Sequence, residues 1–179
     1  MKNQFIKTNL INNKFMKMTM MFIIYFVVIL LAVVLLAAQF GLLSGKQPNN
    51  IGVTSDRLKP PSITRNSVSS QAYMHTEHVQ MQYASIEPLP FKNNSAANSM
   101  QVLLATLKSM PGVTIVDAKP DYIYAQSQTK VLRFVDDVEF WVNPAKGVID
   151  VRSASRLGRE DFGVNRARIE AIRAAYAAN

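Results

Sequence analysis

No cysteine occurs among the 179 residues, which excludes disulfides, thiolate nucleophiles, cysteine-ligated zinc and an acylated lipoprotein anchor. Histidine is almost as scarce, with only His75 and His78. Their spacing suits a metal if helical, but two further ligands would have to come from carboxylates elsewhere, and no metal or other cofactor is expected. There is no phosphate loop and no glycine-flanked serine of the nucleophile-elbow type, and the C-terminal hundred residues hold no histidine base, so covalent catalysis lacks its usual parts.

Acid is absent from the start of the chain, Asp56 being the first. Lys2, Lys7, Lys14 and Lys17 stand there alone and account for half of the net charge of +8. The remaining sixteen basic and twelve acidic residues show no interleaving with aromatics of the kind single-strand binders use, so no nucleic-acid partner is expected.

Charge is also absent from Met18 to Gly45, and Met20–Leu43 is almost wholly Met, Phe, Ile, Val, Leu and Ala. As a helix, residues 18–43 are long enough to cross a bilayer, which is then the first expected partner. A cleaved signal peptide usually has a shorter apolar core and a small-x-small site. Ala37-Ala38-Gln39-Phe40 is a poor one, so a retained signal anchor is expected. Lysines on one flank place residues 1–17 in the cytoplasm and everything after Leu43 across the membrane. This implies a single-pass protein of the inner (cytoplasmic) membrane with a periplasmic C-terminal domain. Met16, Met18 and Met20 are alternative start residues, and a later start would remove most of the lysines.

Residues 44–73 contain Pro48, Pro60 and Pro61 among many Ser, Asn, Thr and Gln, with neither a helical nor a strand period, and are expected to be a flexible tether. Residues 74–179 are expected to be one α+β domain. Val79–Ile86 is a candidate first strand. Asn94 or Ser95 caps a helix with Met100, Leu103, Leu104 and Leu107 on one stripe, ended by Pro111-Gly112. Val113–Asp117 and Tyr122–Ser127 form a hairpin about Lys119-Pro120-Asp121. Lys130–Val142 is a long strand, and a turn over residues 143–147 leads to Val148–Ser155. A last helix over 164–177 buries Phe162, Ile169, Ile172 and Tyr176 and turns Arg166, Glu170 and Arg173 outward, with Glu160 and Asp161 at its positive end. The expected order is β-α-β-β-β-β-α, an antiparallel sheet with helices packed on one face.

Alternation in the long strand sets Asp136, Val138, Phe140 and Val142 toward the core and Arg133, Asp137, Glu139 and Trp141 on the other face. Pairing Val142 with Gly147 would set Phe140 opposite Ile149, Val138 opposite Val151, Asp137 opposite Arg152 and Asp136 opposite Ser153. Asp136 then needs donors on the core side, from Ser153, Ser155 or an arginine. Asp137 and Glu139, with α-carbons about 6.6 Å apart on one face, are the candidate acid–base pair of a hydrolase. The competing expectation is a solvated face balanced by Arg133 and Arg152.

The run Phe134–Phe140, then Val148–Arg156, then Gly158 and Asp161–Arg166, resembles the family called domain of unknown function 1499, over residues 86–179. That resemblance implies an uncharacterised bacterial or plastid protein and a fold, but no activity. Arg152, Arg156, Arg159, Arg166 and Arg168 crowd this stretch. With Ser153, Ser155, Asn165 and the start of the last helix they are candidates to hold an anionic ligand. Alternatively they form a structural ion-pair lattice with Asp136, Asp137, Glu139 and Asp161. A non-enzymatic binding or interaction domain, for an anionic ligand or an envelope partner protein, is the expected role, with the carboxylate hydrolase as the alternative. Catalytic residues are unknown at this level.

Overall fold

The apolar stretch is helical, as its composition demands. The computed structural model describes residues 2–179, with side chains from residue 14 onward. The side chains of Lys2 and Lys7, half of the basic flank, lie outside the described residues. Helix α1 runs Lys2–Gln39, and its Lys14–Gln39 portion is long and apolar enough to cross a membrane, about 39 Å at 1.5 Å per residue. It stops four residues before the end of the apolar run. Gly41, at φ 74°, closes a C-terminal cap in which Leu42 N donates to Ala37 O and Gly41 N to Ala38 O, both at 3.0 Å.

The remainder is an α+β domain built on a six-stranded antiparallel sheet. Its strands are β1 (Ser67–Ser69), β2 (Leu89–Pro90), β3 (Val113–Ala118), β4 (Tyr122–Gln128), β5 (Val135–Asn143) and β6 (Val148–Ser155). The order is β1-β6-β5-β4-β3, and β2 pairs with the same edge of β6 as β1, further along. Helices α3 (Ala96–Ser109) and α4 (Val164–Ala178) pack on one face. Ser95 caps α3, accepting from Asn98 N at 3.2 Å. Met100, Leu103 and Leu107 of α3 meet Ile169, Ile172 and Tyr176 of α4 in one core with Ile123, Val138, Phe140, Ile149 and Val151. Burying each such side chain stabilises by about 1.5–3 kcal/mol.

Several expectations are corrected. Residues 79–86 are no strand: Met81–Ala84 form one helical turn, α2, because the helix preference of Met, Gln and Ala overrides the alternation of Val79, Met81 and Tyr83 with Gln80 and Gln82. The edge positions beside β6 go instead to β1 and β2. The fifth strand begins at Val135, not Lys130, because Arg133 takes φ 55° and residues 129–134 form a loop closed by Thr129 N to Phe134 O at 2.9 Å. The β5–β6 register is two residues from the expected one. Asn143 pairs with Val148, and Phe140, Glu139 and Asp136 lie opposite Val151, Arg152 and Ser155. Gly147, at φ 64°, belongs to the turn, and Asn143 stays on the strand with its amide nitrogen on Asp150 at 2.8 Å. Phe162, expected in the core, is 90% exposed, since it and Gly163 both have positive φ and turn the ring away before α4 starts.

The largest departure concerns residues 44–73. They do not hang free but run as a strap over the sheet face opposite the helices. Gly45 lies against Arg156 and Leu157, Gln47 meets Gln126 at 3.1 Å, and Gly52 N donates to Glu139 at 2.9 Å. A tight turn, Thr54 to Arg57, has Ser55 and Asp56 both at positive φ. Leu58 is then buried with Tyr122, Tyr124 and Trp141, and Ile51 and Val53 pack beside it. The chain returns past Arg65, which faces Glu160, and becomes β1. Isolated apolar side chains and polar contacts hold this segment, not a repeating secondary structure.

Candidate functional site

Four carboxylates project from β5 and β6, and the strap and helices seal all of them: Asp136, Asp137, Glu139 and Asp150 are buried. Alternation divides them. Asp137, Glu139 and Asp150 point under the strap, Asp136 toward the helices.

Under the strap, Arg156 grips Asp137 with two prongs, Nε to Oδ2 at 3.0 Å and Nη2 to Oδ1 at 2.7 Å, the fork geometry that makes arginine–carboxylate pairs directional. The Tyr124 hydroxyl donates to the same carboxylate at 2.5 Å. Glu139, fully enclosed, accepts from Arg152 Nη1 at 3.1 Å, from the Tyr122 hydroxyl at 2.9 Å and from Gly52 N at 2.9 Å. Arg152 Nε, by contrast, is buried without a partner. Asp150 has no arginine; Ser70 Oγ, Gln71 Nε2 and Asn143 Nδ2 hold it at 2.7–2.8 Å. Gln71 turns its carbonyl to Leu58 N at 2.8 Å, so the last carboxylate is wired to the strap. Burial first, and the neighbouring carboxylates second, push the Tyr122 and Tyr124 hydroxyls above the ordinary tyrosine value. Both remain protonated donors at physiological pH.

On the helix side, Arg168 of α4 pairs with Asp136 and donates to Ser153 Oγ at 2.9 Å and Asn165 Oδ1 at 2.7 Å. Asn165 Nδ2 donates to Ser155 Oγ at 2.9 Å and Asp161 Oδ2 at 2.8 Å. Asp161 also accepts from Gly163 N and Asn165 N, both at 3.0 Å, and so caps the first turn of α4. The Tyr83 hydroxyl adds a further bond. Burial acts to raise the Asp161 carboxyl, but the bonds from Tyr83, Asn165 and Gly163 outweigh it and leave it below the ordinary value. Tyr83 is pushed up to about 12 by burial and by that bond.

The arginine-rich stretch is therefore not one site. Arg152 and Arg156 lie under the strap, while Ser153, Ser155, Asp161, Asn165 and Arg168 lie on the helix side. Arg166 donates to the carbonyls of Tyr83 and Ser85 at 2.6 and 2.9 Å. Asp137 and Glu139 share a face as expected, yet that face is covered, and neither carboxylate reaches solvent. His78 Nδ1 accepts from Gln80 N at 3.1 Å. Among the described residues, no group of three or more His, Asp and Glu is placed to hold a metal ion.

Two of the open clefts border this network. One of about 510 Å³ lies beside β6 and mixes Lys146 and Arg166 with Asp150, Glu87 and Glu170, so that both signs of charge line it. The other, about 340 Å³, is mainly apolar and lies between residues 129–136 and 155–164, with Phe134, Leu157, Phe162 and Val164 around it. The strap contacts, Asp150's neutral ring of donors and this apolar cleft were invisible to sequence patterning, because each depends on residues far apart in the chain.

A family model matches residues 57–176, two thirds of the chain. The chain belongs to the family described as Protein of unknown function (DUF1499). The DUF1499 match begins at Arg57, one residue before buried Leu58, whereas the resemblance noted in the sequence began at residue 86. Half of the strap is thus part of the DUF1499 domain itself. No curated protein and no solved structure matches the chain.

Proposed function

We propose that the chain is a single-pass protein of the cytoplasmic membrane whose DUF1499 domain is a non-enzymatic binding or interaction module held at the outer surface of that membrane. One relationship carries this reading: the end of α1 is joined to the domain without slack. Arg133 Nη1 donates to Gln39 Oε1 at 3.1 Å, Ala38 is fully buried, and Gly45 already packs on Arg156 and Leu157. A spanning α1 therefore puts the domain on the bilayer. Lys14 and Lys17 before the span, and no lysine or arginine from Met18 to Gly45, favour a cytoplasmic N-terminus.

A non-enzymatic role is supported by the state of the acids. Asp137 and Glu139 would need access to a substrate and a proton, and each is held by an arginine and a tyrosine, Glu139 also by the Gly52 amide. Three buried pairs, Arg152–Glu139, Arg156–Asp137 and Arg168–Asp136, read as a lattice that fixes the strap, the sheet and α4 in register. They also occupy the arginines an anionic ligand would need.

Orientation is tested with the cysteine-free chain by introducing Ala145→Cys in the exposed β5–β6 turn. A membrane-impermeant maleimide should label it in intact spheroplasts. Labelling only after lysis would place the domain on the cytoplasmic side and overturn the proposal.

A further inference from the structure

The end of the domain that meets α1 carries a group of large apolar side chains that the fold leaves uncovered, apart from the scattered Ile63, Val79 and Val116. Phe162 is 90% exposed, Val131 60%, Val164 46% and Leu157 43%. Leu157, Phe162 and Val164 line the apolar cleft between residues 129–136 and 155–164, and Val131 lies in the loop of residues 129–134 on its flank. Both flanks of this cleft are tied to the anchor, one through Arg133 to Gln39, the other through Leu157 to Gly45. Phe40 and Leu42, just past α1, are also exposed, at 80% and 73%. Apolar loop tips and the end of an apolar helix thus share one level.

The exposure of Phe162 is imposed. Its φ of 51° is unfavourable for a bulky aromatic, and the Asp161 cap on α4 holds the backbone in that turn. A ring kept outward against both sterics and hydrophobicity in water gains only if something apolar receives it. In the segments that flank the cleft, Lys46, Lys130 and Arg159 are exposed, while Glu160, which lines it, is matched by Arg65 at 3.6 Å. The collar is basic.

We propose that this end is a lipid-docking surface: Phe162, Leu157 and Val131 insert into the interfacial region of the bilayer, while Lys46, Lys130 and Arg159 meet anionic headgroups. Aromatic and aliphatic tips rimmed by lysine and arginine are the composition that lies in the headgroup boundary. The anchor supplies proximity and the collar supplies orientation, so the domain stands with the β3–β4 and β5–β6 turns away from the membrane. This rests on the anchoring proposed above but is tested separately from it.

The test uses the full chain reconstituted into vesicles of equal parts phosphatidylglycerol and phosphatidylcholine, with single cysteines at Phe162→Cys, Val131→Cys or Ala145→Cys carrying an environment-sensitive fluorophore. Carbonate resistance verifies anchoring, and the emission of Trp141 verifies folding. Labels at 162 and 131 should shift to the blue, lose intensity to lipids bearing a shallow nitroxide and resist aqueous iodide. The label at 145 should do none of these. A label at 162 as open to iodide as that at 145, in an anchored and folded chain, would overturn the lipid surface while leaving the anchor standing. A label shielded from iodide but untouched by the lipid nitroxide would overturn it equally, by assigning the face to a protein.

Discussion

Arg152 and Glu139 lie directly opposite each other on adjacent strands and form an ion pair at 3.1 Å in which both side chains are almost wholly enclosed. The pair is buried by the strap, not by the helices, and Gly52 of the strap donates to the same carboxylate. Glu139 thus joins three layers of chain: β6 through Arg152, β4 through Tyr122, and the strap through its backbone.

Arg152→Met should destabilise the domain by about 3–5 kcal/mol, the usual consequence of leaving a buried carboxylate uncompensated. Glu139→Gln should cost a comparable amount, because the amide oxygen still accepts from Gly52 and Tyr122 but the Arg152 guanidinium is left buried without its counter-charge. In the double variant the losses should fall short of their sum, since each removes the same charge pair. Urea unfolding in detergent, followed at Trp141, checks all three; additive losses would mean the pair is not coupled.

Leu58→Ala should cost about 2–5 kcal/mol, as deletion of a buried leucine does. Trp141 is the single tryptophan and packs in the same cluster as Leu58. Its emission should therefore move to the red before global unfolding. An unchanged spectrum in the folded variant would mean that the strap does not cover this face in solution.

Asp161 has a carboxyl held below the ordinary value of about 3.9. Its contribution is complete above about pH 4 and is lost as pH falls through the lower, folded-state value, where the native carboxylate takes up its proton. Asp161→Asn should make acid unfolding less steep below about pH 4, with a near-constant loss of about 1 kcal/mol above it from the weakened cap. Stability measured against pH for both chains decides this; parallel curves would contradict it.

Gly45 joins α1 to the domain at φ 66°, and a β-carbon there would come within 2.7 Å of Arg156 Cβ. Gly45→Ala should cost about 1–2 kcal/mol from the backbone alone and should loosen the domain from α1. Increased proteolysis between residues 40 and 50, with the domain still folded, is the expected readout.

Strands β3–β6, helices α3 and α4 and the face each residue takes were legible, because they depend on local periodicity. Register was not: a slide of two residues keeps every side chain on its face, so alternation cannot detect the difference between Val142–Gly147 and Asn143–Val148 pairing. Residues 44–73 looked like a tether because Ile51, Val53 and Leu58 are spaced without a period and β1 is only three residues long. The clue lay on the other partner. Tyr122, Tyr124, Trp141, Asp137 and Glu139 form a face too aromatic and too charged to be either plain core or plain surface. Phe162 misled for a different reason: it fits the stripe of α4 by spacing, but its positive φ sets it before the helix begins.

The account stands on residues 44–73 being a fixed layer of the domain. Amide hydrogen exchange on the full chain in nanodiscs measures this directly. Gly52, Leu58 and Ser70, whose amides donate to Glu139, Gln71 and Val151, should exchange as slowly as central residues of β5, and Arg152→Met should accelerate Gly52 first. Exchange of these three amides at the rate of an unstructured chain would contradict it.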